Sequence, residues 1–242
     1  MILFLGASIT QGKISASFVN MLEKRLGVKD FSFINQGVAG YEAYNVLKNL
    51  DKAIKLKPEM VIILVGTNDV LSSLDPVLAQ RTRKLKKIPH EATLDHYINN
   101  IKNIIQQVKH ETHAGIALAS LPVIGENLAS LENRTVDEYN RELKKITESE
   151  CIAYLPVNER QKAYLMEKSG AKGKDAKETT KMAFQSLFLH YFLFRSLDAI
   201  SKKNGFLLLT DGIHQNSTGA GLIADEMENF IKRRPDLTIN NK

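Results

Sequence analysis

Residues 1–12 read MILFLGASITQG, a short apolar run that ends in a turn of small residues. Ile2 to Leu5 are all apolar, and Gly6, Ala7 and Ser8 follow directly. An apolar run of about four to eight residues that is bounded by a turn signal is typical of a fully buried strand. We therefore predict a first strand over Ile2 to Leu5 and place Ser8 in the turn at its carboxyl end.

The same pattern recurs along most of the chain. Four further strands are predicted over Phe31 to Asn35, Met60 to Val65, Gly115 to Ser120 and Ile152 to Val157. Apolar residues at spacings of three and four predict helices over Ser15 to Leu26, Glu42 to Leu56, Glu91 to Glu111, Thr135 to Glu148 and Gly219 to Arg233. Buried strands that alternate with amphipathic helices indicate an α/β fold, with a parallel sheet covered by helices on both faces.

Length and composition indicate one globular domain that spans residues 1–242. The chain has 242 residues, 43% of them hydrophobic, which is enough for one sizeable core. Its single cysteine, Cys151, excludes an internal disulfide, and the sequence has no Cys/His pattern of a zinc site. We therefore expect no structural metal.

Charge and hydropathy bear on partners and location. The 33 Lys and Arg residues against 27 Asp and Glu give a net charge of +6, too little to indicate a nucleic-acid partner. The longest nearly apolar run, Leu187 to Phe194, is far shorter than the ~18–20 residues that span a bilayer, so we expect no transmembrane segment. The amino terminus lacks the basic region and cleavage site of a secretory signal, which favours a cytoplasmic protein.

Two stretches interrupt the alternation of strands and helices. The first, Val70 to His90, is predicted to be a long connection, and its segment Arg81 to Lys87 holds five basic residues and no acidic one. This segment is interpreted either as a solvated basic loop or as a loop that overhangs the carboxyl ends of the strands and attracts an anionic substrate.

The second interruption, Glu159 to Asn204, is predicted to be a helical insertion. Its polar, basic part, Lys168 to Lys177, favours a mobile loop, whereas residues 181–203 would form a helix that is apolar around more than half its circumference. Such a helix needs cover, either in an enlarged core or in a homo-oligomer contact, or it forms a lid with an acyl-binding wall. On the lid interpretation, the candidate substrate contacts are Phe184, Phe188 and Tyr191.

Polar residues that suit acyl-transfer chemistry follow three of the predicted strands. Ser8 follows the first strand, NQGVAG (35–40) ends the second and GTND (66–69) ends the third. The carboxyl ends of parallel strands share one edge of a sheet, so a nucleophilic oxygen and hydrogen-bond donors for an oxyanion would meet there. The candidate donors are the backbone N–H groups of Ser8 and Gly37 and the side-chain amide of Asn68. The alternatives are that Ser8 caps the next helix and that GTND is an ordinary turn.

A base for such a site is predicted in the loop TDGIHQN, residues 210–216. Asp211 precedes His214 by three residues, close enough for its carboxylate to orient the imidazole. The alternative is that Asp211 only closes a turn with Gly212. A phosphate-binding loop is excluded because five residues separate Gly6 from Gly12, where GxxxxGK[ST] requires four.

Taken in order, GASITQG, NQGVAG, VGTND and DGIH resemble the four sequence blocks of the SGNH (GDSL-like) hydrolase family. The resemblance implies a three-layer α/β/α fold like that of flavodoxin, with a five-stranded parallel sheet. It implies Ser8 as nucleophile, Gly37 and Asn68 as oxyanion donors, His214 as base and Asp211 as its orienting carboxylate, with no metal or organic cofactor. The chain departs from the family pattern at one position. Ala7 replaces the Asp of the usual Gly-Asp-Ser, so the turn must position Ser8 without the hydrogen bonds of that carboxylate.

The sequence therefore predicts a serine ester hydrolase that acts on a small-molecule ester through an acyl-enzyme. The aromatic insertion favours a substrate with an acyl chain, as in lipase-like acylhydrolases. Two alternatives remain: a carbohydrate O-acetylesterase, an activity also known in the family that this chain resembles, and a catalytically silent binding protein of the same fold.

Overall fold

A single parallel sheet organises the chain in the computed structural model, which describes residues 1–27, 31–169, 173–175, 186, 189–190 and 194–233. Its strands are β1 Ile2–Gly6, β2 Phe33–Gly37, β3 Met60–Leu64, β4 Gly115–Ala119 and β5 Ala153–Leu155. The five strands lie in the order β2-β1-β3-β4-β5, which is the flavodoxin-like order. The predicted five-stranded α/β/α fold is confirmed.

Helices cover both faces of this sheet. They are α1 Ser8–Gln11, α2 Phe18–Leu26, α3 Ala43–Lys48, α4 Leu50–Ile54, α5 Thr67–Leu74, α6 Pro76–Lys86, α7 Leu94–Glu111, α8 Leu131–Ser149, α9 Val157–Ser169, α10 Leu197–Asn204 and α11 Ser217–Lys232. Within the ranges that the structure describes, no helix combines the length and apolarity needed to cross a bilayer.

The core consists of two main layers, one on each side of the sheet. Leu3 and Leu5 of β1 belong to a cluster with side chains of α3, α7 and α8. Ile2 and Phe4 belong to the opposite cluster, with side chains of α2 and α11. Successive side chains of a strand point to opposite faces, so an uninterrupted apolar run fills both layers. Burial of each such side chain contributes about 1.5–3 kcal/mol.

The second strand is shifted by two residues from the prediction. The apolar run suggested Phe31 to Asn35, whereas β2 runs from Phe33 to Gly37 and includes the exposed residues Asn35 and Gln36. β2 lies at the edge of the sheet and pairs only with β1, so its end tolerates polar side chains. The long helix predicted over Glu42 to Leu56 is likewise interrupted, at Asn49.

The prediction of a loop from Val70 to His90 is wrong, because α5 and α6 occupy most of this stretch. Asp75 caps α6 by accepting hydrogen bonds from the N–H groups of Val77 (2.9 Å) and Leu78 (3.1 Å), and Pro76 is its first residue. No residue of α6 is buried, which explains why its sequence has no apolar stripe. The basic segment Arg81 to Lys87 is therefore largely helical.

The predicted insertion, Glu159 to Asn204, begins within α9 and ends with α10. Between these helices the structure describes only residues 173–175, 186, 189–190 and 194–196. The candidate substrate contacts Phe184, Phe188 and Tyr191 lie outside the described residues.

Two glycine-to-alanine changes, one in β1 and one in α11, should have opposite effects on stability. Gly6→Ala should lower the free energy of unfolding by about 1–3 kcal/mol, since an added methyl carbon would lie 2.4 Å from the carbonyl oxygen of Leu64. Gly221→Ala inside α11 should raise it by about 0.5–1 kcal/mol, since a Cβ there meets no described atom within 4 Å beyond its chain neighbours and the nearby backbone of its own helix. Urea unfolding measures both. Equal effects would contradict the close approach of β1 to β3.

Candidate active site

A continuous chain of hydrogen-bond contacts joins Ser8, His214 and Asp211. The Oγ of Ser8 lies 2.9 Å from Nε2 of His214, and Nδ1 of the same ring lies 2.8 Å from Oδ2 of Asp211. Ser8 and His214 are 7% and 6% exposed, and Asp211 is 1% exposed. A ring nitrogen that faces a carboxylate acts as a donor, so we assign the proton to Nδ1 and the acceptor role to Nε2.

Ser8 is held at the junction of β1 and α1. Ala7 is the N-cap of α1 and makes no side-chain cap, so Ser8 is the first helical residue and does not cap the helix. The turn closes through the backbone, because the N–H of Gln11 donates to the carbonyl of Ala7 at 2.8 Å. A first-turn N–H has no acceptor within its helix, so the N–H of Ser8 is free of intrahelical bonding.

The loop that carries His214 is closed by its own backbone. Thr210 donates to the carbonyl of His214 from its N–H (2.7 Å) and from its hydroxyl (3.0 Å). Oδ1 of Asp211 accepts hydrogen bonds from the N–H groups of Ile213 (3.0 Å) and His214 (2.9 Å). Asp211 therefore closes the turn with one oxygen and contacts the imidazole with the other, so closing the turn is not its only contact. Thr210 is the first residue of the motif TDGIHQN, but nothing in the sequence indicates that it binds the carbonyl of His214.

The segment GTND makes tertiary contacts rather than a local turn. Gly66 is the N-cap of α5 with a φ of 139°, and Asn68 lies in the first turn of that helix. Nδ2 of Asn68 donates to the carbonyl of Tyr41 at 2.8 Å. Both carboxylate oxygens of Asp69 lie 3.2 Å from the N–H of Ala43, from which they accept. The third strand end is thereby attached to the loop that follows β2.

Gly37 is engaged differently from the prediction. Its N–H donates to Oδ1 of Asn35 at 2.9 Å, and a Cβ at Gly37 would lie 2.2 Å from the backbone nitrogen of Gln11. The space beside Gly37 therefore holds the backbone of α1, and the role of Gly37 as an oxyanion donor stays a prediction.

Gly40, which the sequence analysis did not single out, has a φ of 73°, and its N–H donates to no group in the described part of the chain. The second glycine of NQGVAG was the signal for it.

The basic helix α6 contacts the same loop. Nζ of Lys86 donates to the carbonyl of Ala39 at 3.0 Å and lies 5.3 Å from the centre of the Tyr41 ring. Arg83, one turn earlier, lines a surface cavity of about 560 Å³. Residues of α5 and α6 line it too, together with Glu91 from the loop after α6. Lys86 thus places a positive charge beside the loop after β2.

Two buried carboxyl groups lie under this loop. Burial raises the pKa of Asp69 well above its usual value, and the neighbouring Glu42 adds to the rise. Burial also raises the pKa of Glu42, although a hydrogen bond from the Ser72 hydroxyl (2.6 Å) opposes it. No group of three or more His, Cys, Asp or Glu side chains in the described ranges is arranged to hold a metal ion.

The raised pKa of Glu42 predicts a pH dependence of stability. The folded protein retains this proton at a higher pH than the unfolded chain does, so the free energy of unfolding should fall as the pH rises from about 4.5 through the folded-state pKa. Glu42→Gln removes this contribution. Urea unfolding of the two proteins across this pH range should show the wild type losing stability relative to the variant. Parallel pH profiles would contradict the assignment.

One protein family and several solved structures are similar to this chain. A model of the GDSL-like Lipase/Acylhydrolase family matches residues 4–222. Among curated proteins, no sequence matches the chain.

Solved structures show the same fold at low sequence identity. The chain is similar to the acetyl xylan esterase AlAXEase, with a TM-score of 0.68, 17% identity and coverage of 95% of this chain and 98% of that one. It is similar to Axe2, an acetylxylan esterase from Geobacillus stearothermophilus, with a TM-score of 0.66, 18% identity and coverage of 95% and 93%. It also resembles LAE5, an alpha/beta hydrolase from the metagenome of Lake Arreo, with a TM-score of 0.67, 17% identity and coverage of 93% and 92%. The family match spans most of the sequence, and the chain therefore belongs to the GDSL-like lipase/acylhydrolase family of ester-bond hydrolases.

Proposed function

We propose that the chain is a serine ester hydrolase in which Ser8 is the nucleophile, His214 the general base and Asp211 the residue that orients the imidazole. The observation that supports this is the buried chain of contacts at 2.9 and 2.8 Å that joins the three side chains. Both distances fall in the range that proton transfer requires.

The first half of the reaction forms an acyl-enzyme. The Ser8 oxygen attacks the ester carbonyl carbon while Nε2 of His214 accepts the hydroxyl proton. Asp211 stabilises the imidazolium that results, because its carboxylate accepts the hydrogen bond from Nδ1. When the tetrahedral intermediate collapses, the carbon–oxygen bond to the alcohol breaks, and His214 returns the proton to the departing alcohol.

Hydrogen-bond donors must stabilise the negative oxygen of the intermediate. The N–H of Ser8 has no intrahelical acceptor, and Nδ2 of Asn68 carries a second hydrogen besides the one given to Tyr41. A third donor comes from the loop after β2. The N–H of Gly37 would have to leave Asn35 to serve, whereas the N–H of Gly40 donates to no acceptor among the residues that the structure describes. Fixed donors of this kind cost no reorganisation during the reaction.

The second half regenerates the enzyme. A water molecule gives a proton to Nε2 of His214 and attacks the acyl carbon of the ester on Ser8. The second tetrahedral intermediate releases the carboxylic acid, and the proton on His214 returns to the Ser8 oxygen. Every proton is thus carried by one imidazole, and the cycle needs no cofactor.

Substitutions at the site should separate chemistry from folding. Ser8→Ala and His214→Ala should reduce hydrolysis of p-nitrophenyl acetate to background, and Asn68→Ala should lower kcat by about 10²–10³-fold, as loss of one oxyanion donor does. The matched control is Ser73→Ala on α5, where the hydroxyl donates to the carbonyl of Val70 at 2.7 Å. Undiminished activity in Ser8→Ala would end the proposal.

Two substrate classes are supported by different observations. Structural similarity to two acetylxylan esterases, AlAXEase and Axe2, together with the deep burial of Ser8, favours an acetyl ester of a carbohydrate. The aromatic residues Phe184, Phe188 and Tyr191, predicted as substrate contacts, favour an ester with a longer acyl chain. We propose the acetyl ester, with the acyl chain as the second candidate.

A series of p-nitrophenyl esters from acetate to octanoate distinguishes these classes. We expect kcat/KM to be highest for acetate and to fall as the acyl chain lengthens, because Ser8 is only 7% exposed. Phe184→Ala should leave this profile unchanged. An optimum at octanoate that Phe184→Ala abolishes would replace the acetyl proposal with the acylhydrolase one.

A further inference from the structure

A buried carboxylate without a basic partner lies beside the loop that carries His214. Glu126, in the segment between β4 and α8, is 2% exposed. Its Oε1 accepts hydrogen bonds from the N–H groups of Leu208 (2.7 Å), Leu207 (2.9 Å) and Leu209 (3.1 Å), and its Oε2 also accepts from Leu207 at 2.9 Å. Among the residues that the structure describes, no Lys, Arg or His forms an ion pair with it.

The three amides form a concave anion site that Glu126 fills from within the chain. In an extended strand, successive N–H groups point to opposite sides, but here three consecutive N–H groups converge on one carboxylate. Convergent backbone amides of this kind bind anions through their partial positive charges. Burial raises the pKa of Glu126, and the bonds from the amides oppose that rise. The interaction therefore replaces the ion pair that a buried carboxylate usually requires.

The segment held by Glu126 leads directly to Asp211 and His214. Asn216 binds the opposite side of the same segment, because its N–H donates to the carbonyl of Leu208 (2.8 Å) and its side chain donates to that of Leu207 (2.9 Å). Gly125, next to Glu126, donates to the carbonyl of Gly212 at 2.7 Å. Both ends and the centre of the His214 loop are therefore fixed relative to the segment that carries Glu126.

We propose that Glu126 is a positioning residue for the ester hydrolysis, an internal anion whose bonds to residues 207–209 hold His214 within hydrogen-bond reach of Ser8. This inference rests on the proposed function. Glu126 forms no hydrogen bond with Ser8 or the imidazole, and its side chain binds only backbone N–H groups among the described residues, so it acts through the backbone. Displacement of a reacting group by about 1 Å is enough to cost ~10²-fold in rate.

Substitution and chemical rescue test this role. Glu126→Ala should lower kcat for p-nitrophenyl acetate by about 10²-fold and leave KM within about twofold, because the imidazole is displaced while substrate contacts remain. Formate, compared with chloride at equal ionic strength, should restore part of kcat in this variant and none in the wild type, since the vacated amides still bind an anion. Glu126→Gln, which keeps the oxygen that accepts three bonds, should retain most of the activity.

The matched control is Asn140→Ala. Asn140 of α8 accepts from the N–H of Leu121 (2.7 Å) and donates to the carbonyl of Leu121 (3.1 Å), so it is a buried polar side chain that likewise binds backbone groups but forms no hydrogen bond with residues 207–214. This variant should lose thermal stability but keep kcat, and formate should not affect it. If Glu126→Ala fails to fold, Glu126→Asp takes its place, because it keeps the charge but withdraws the oxygens by one methylene.

Two outcomes would overturn the proposal. One is a wild-type kcat in Glu126→Ala, or in Glu126→Asp if the first variant does not fold. The other is a loss of kcat in Glu126→Ala that formate does not reverse and that Glu126→Gln shares in full. If the wild type itself shows no activity that depends on Ser8, the proposed function has failed. The Glu126 inference is then tested by the low-field proton NMR signal of the His214 Nδ1–H, which should be present in the wild type and lost in Glu126→Ala.

Discussion

The contact between the Ser8 hydroxyl and the His214 imidazole joins residues that are 206 positions apart in the chain, and the proposed chemistry depends on it. One partner stands on the sheet, where β1 lies between β2 and β3 and fixes the turn that begins at Gly6. The other partner lies on a loop outside the sheet, between α10 and α11. The 2.9 Å distance between Ser8 Oγ and His214 Nε2 therefore requires that the loop position its imidazole as precisely as the sheet positions the serine.

The two partners are held in physically different ways. Ser8 follows a strand whose side chains are buried on both faces, so apolar packing in two layers fixes its position. The segment before His214 packs Leu208 and Leu209 into a small third apolar cluster, and the loop itself is held by polar bonds from Thr210, Asp211, Asn216 and Glu126. Bonds to buried backbone groups are costly to leave unmade, so these few side chains specify one loop conformation. The arrangement makes the base side of the site more sensitive to single polar substitutions than the nucleophile side.

The sequence was sufficient to predict the sheet, its parallel strands and the contact of His214 with Asp211, because short uninterrupted apolar runs and short motifs are local signals. It failed where tertiary context decides the conformation. α6 buries none of its residues and so shows no apolar stripe, although Asp75 and Pro76 were a readable start signal. Gly37 stays a predicted oxyanion donor, but the sequence did not reveal that its missing side chain makes room for the backbone of α1. Glu126 gave no signal, since nothing in a lone glutamate reveals that three amides some eighty residues later converge on it.

The most direct test of the central claim is to label the protein with a fluorophosphonate, which reacts with a serine oxygen that a neighbouring base has activated, and to locate the adduct by peptide mass spectrometry. The account predicts one adduct, on Ser8, that forms far more slowly in His214→Ala because the hydroxyl then lacks its proton acceptor. An adduct on a different serine, or an equal rate of labelling of Ser8 in His214→Ala, would contradict it.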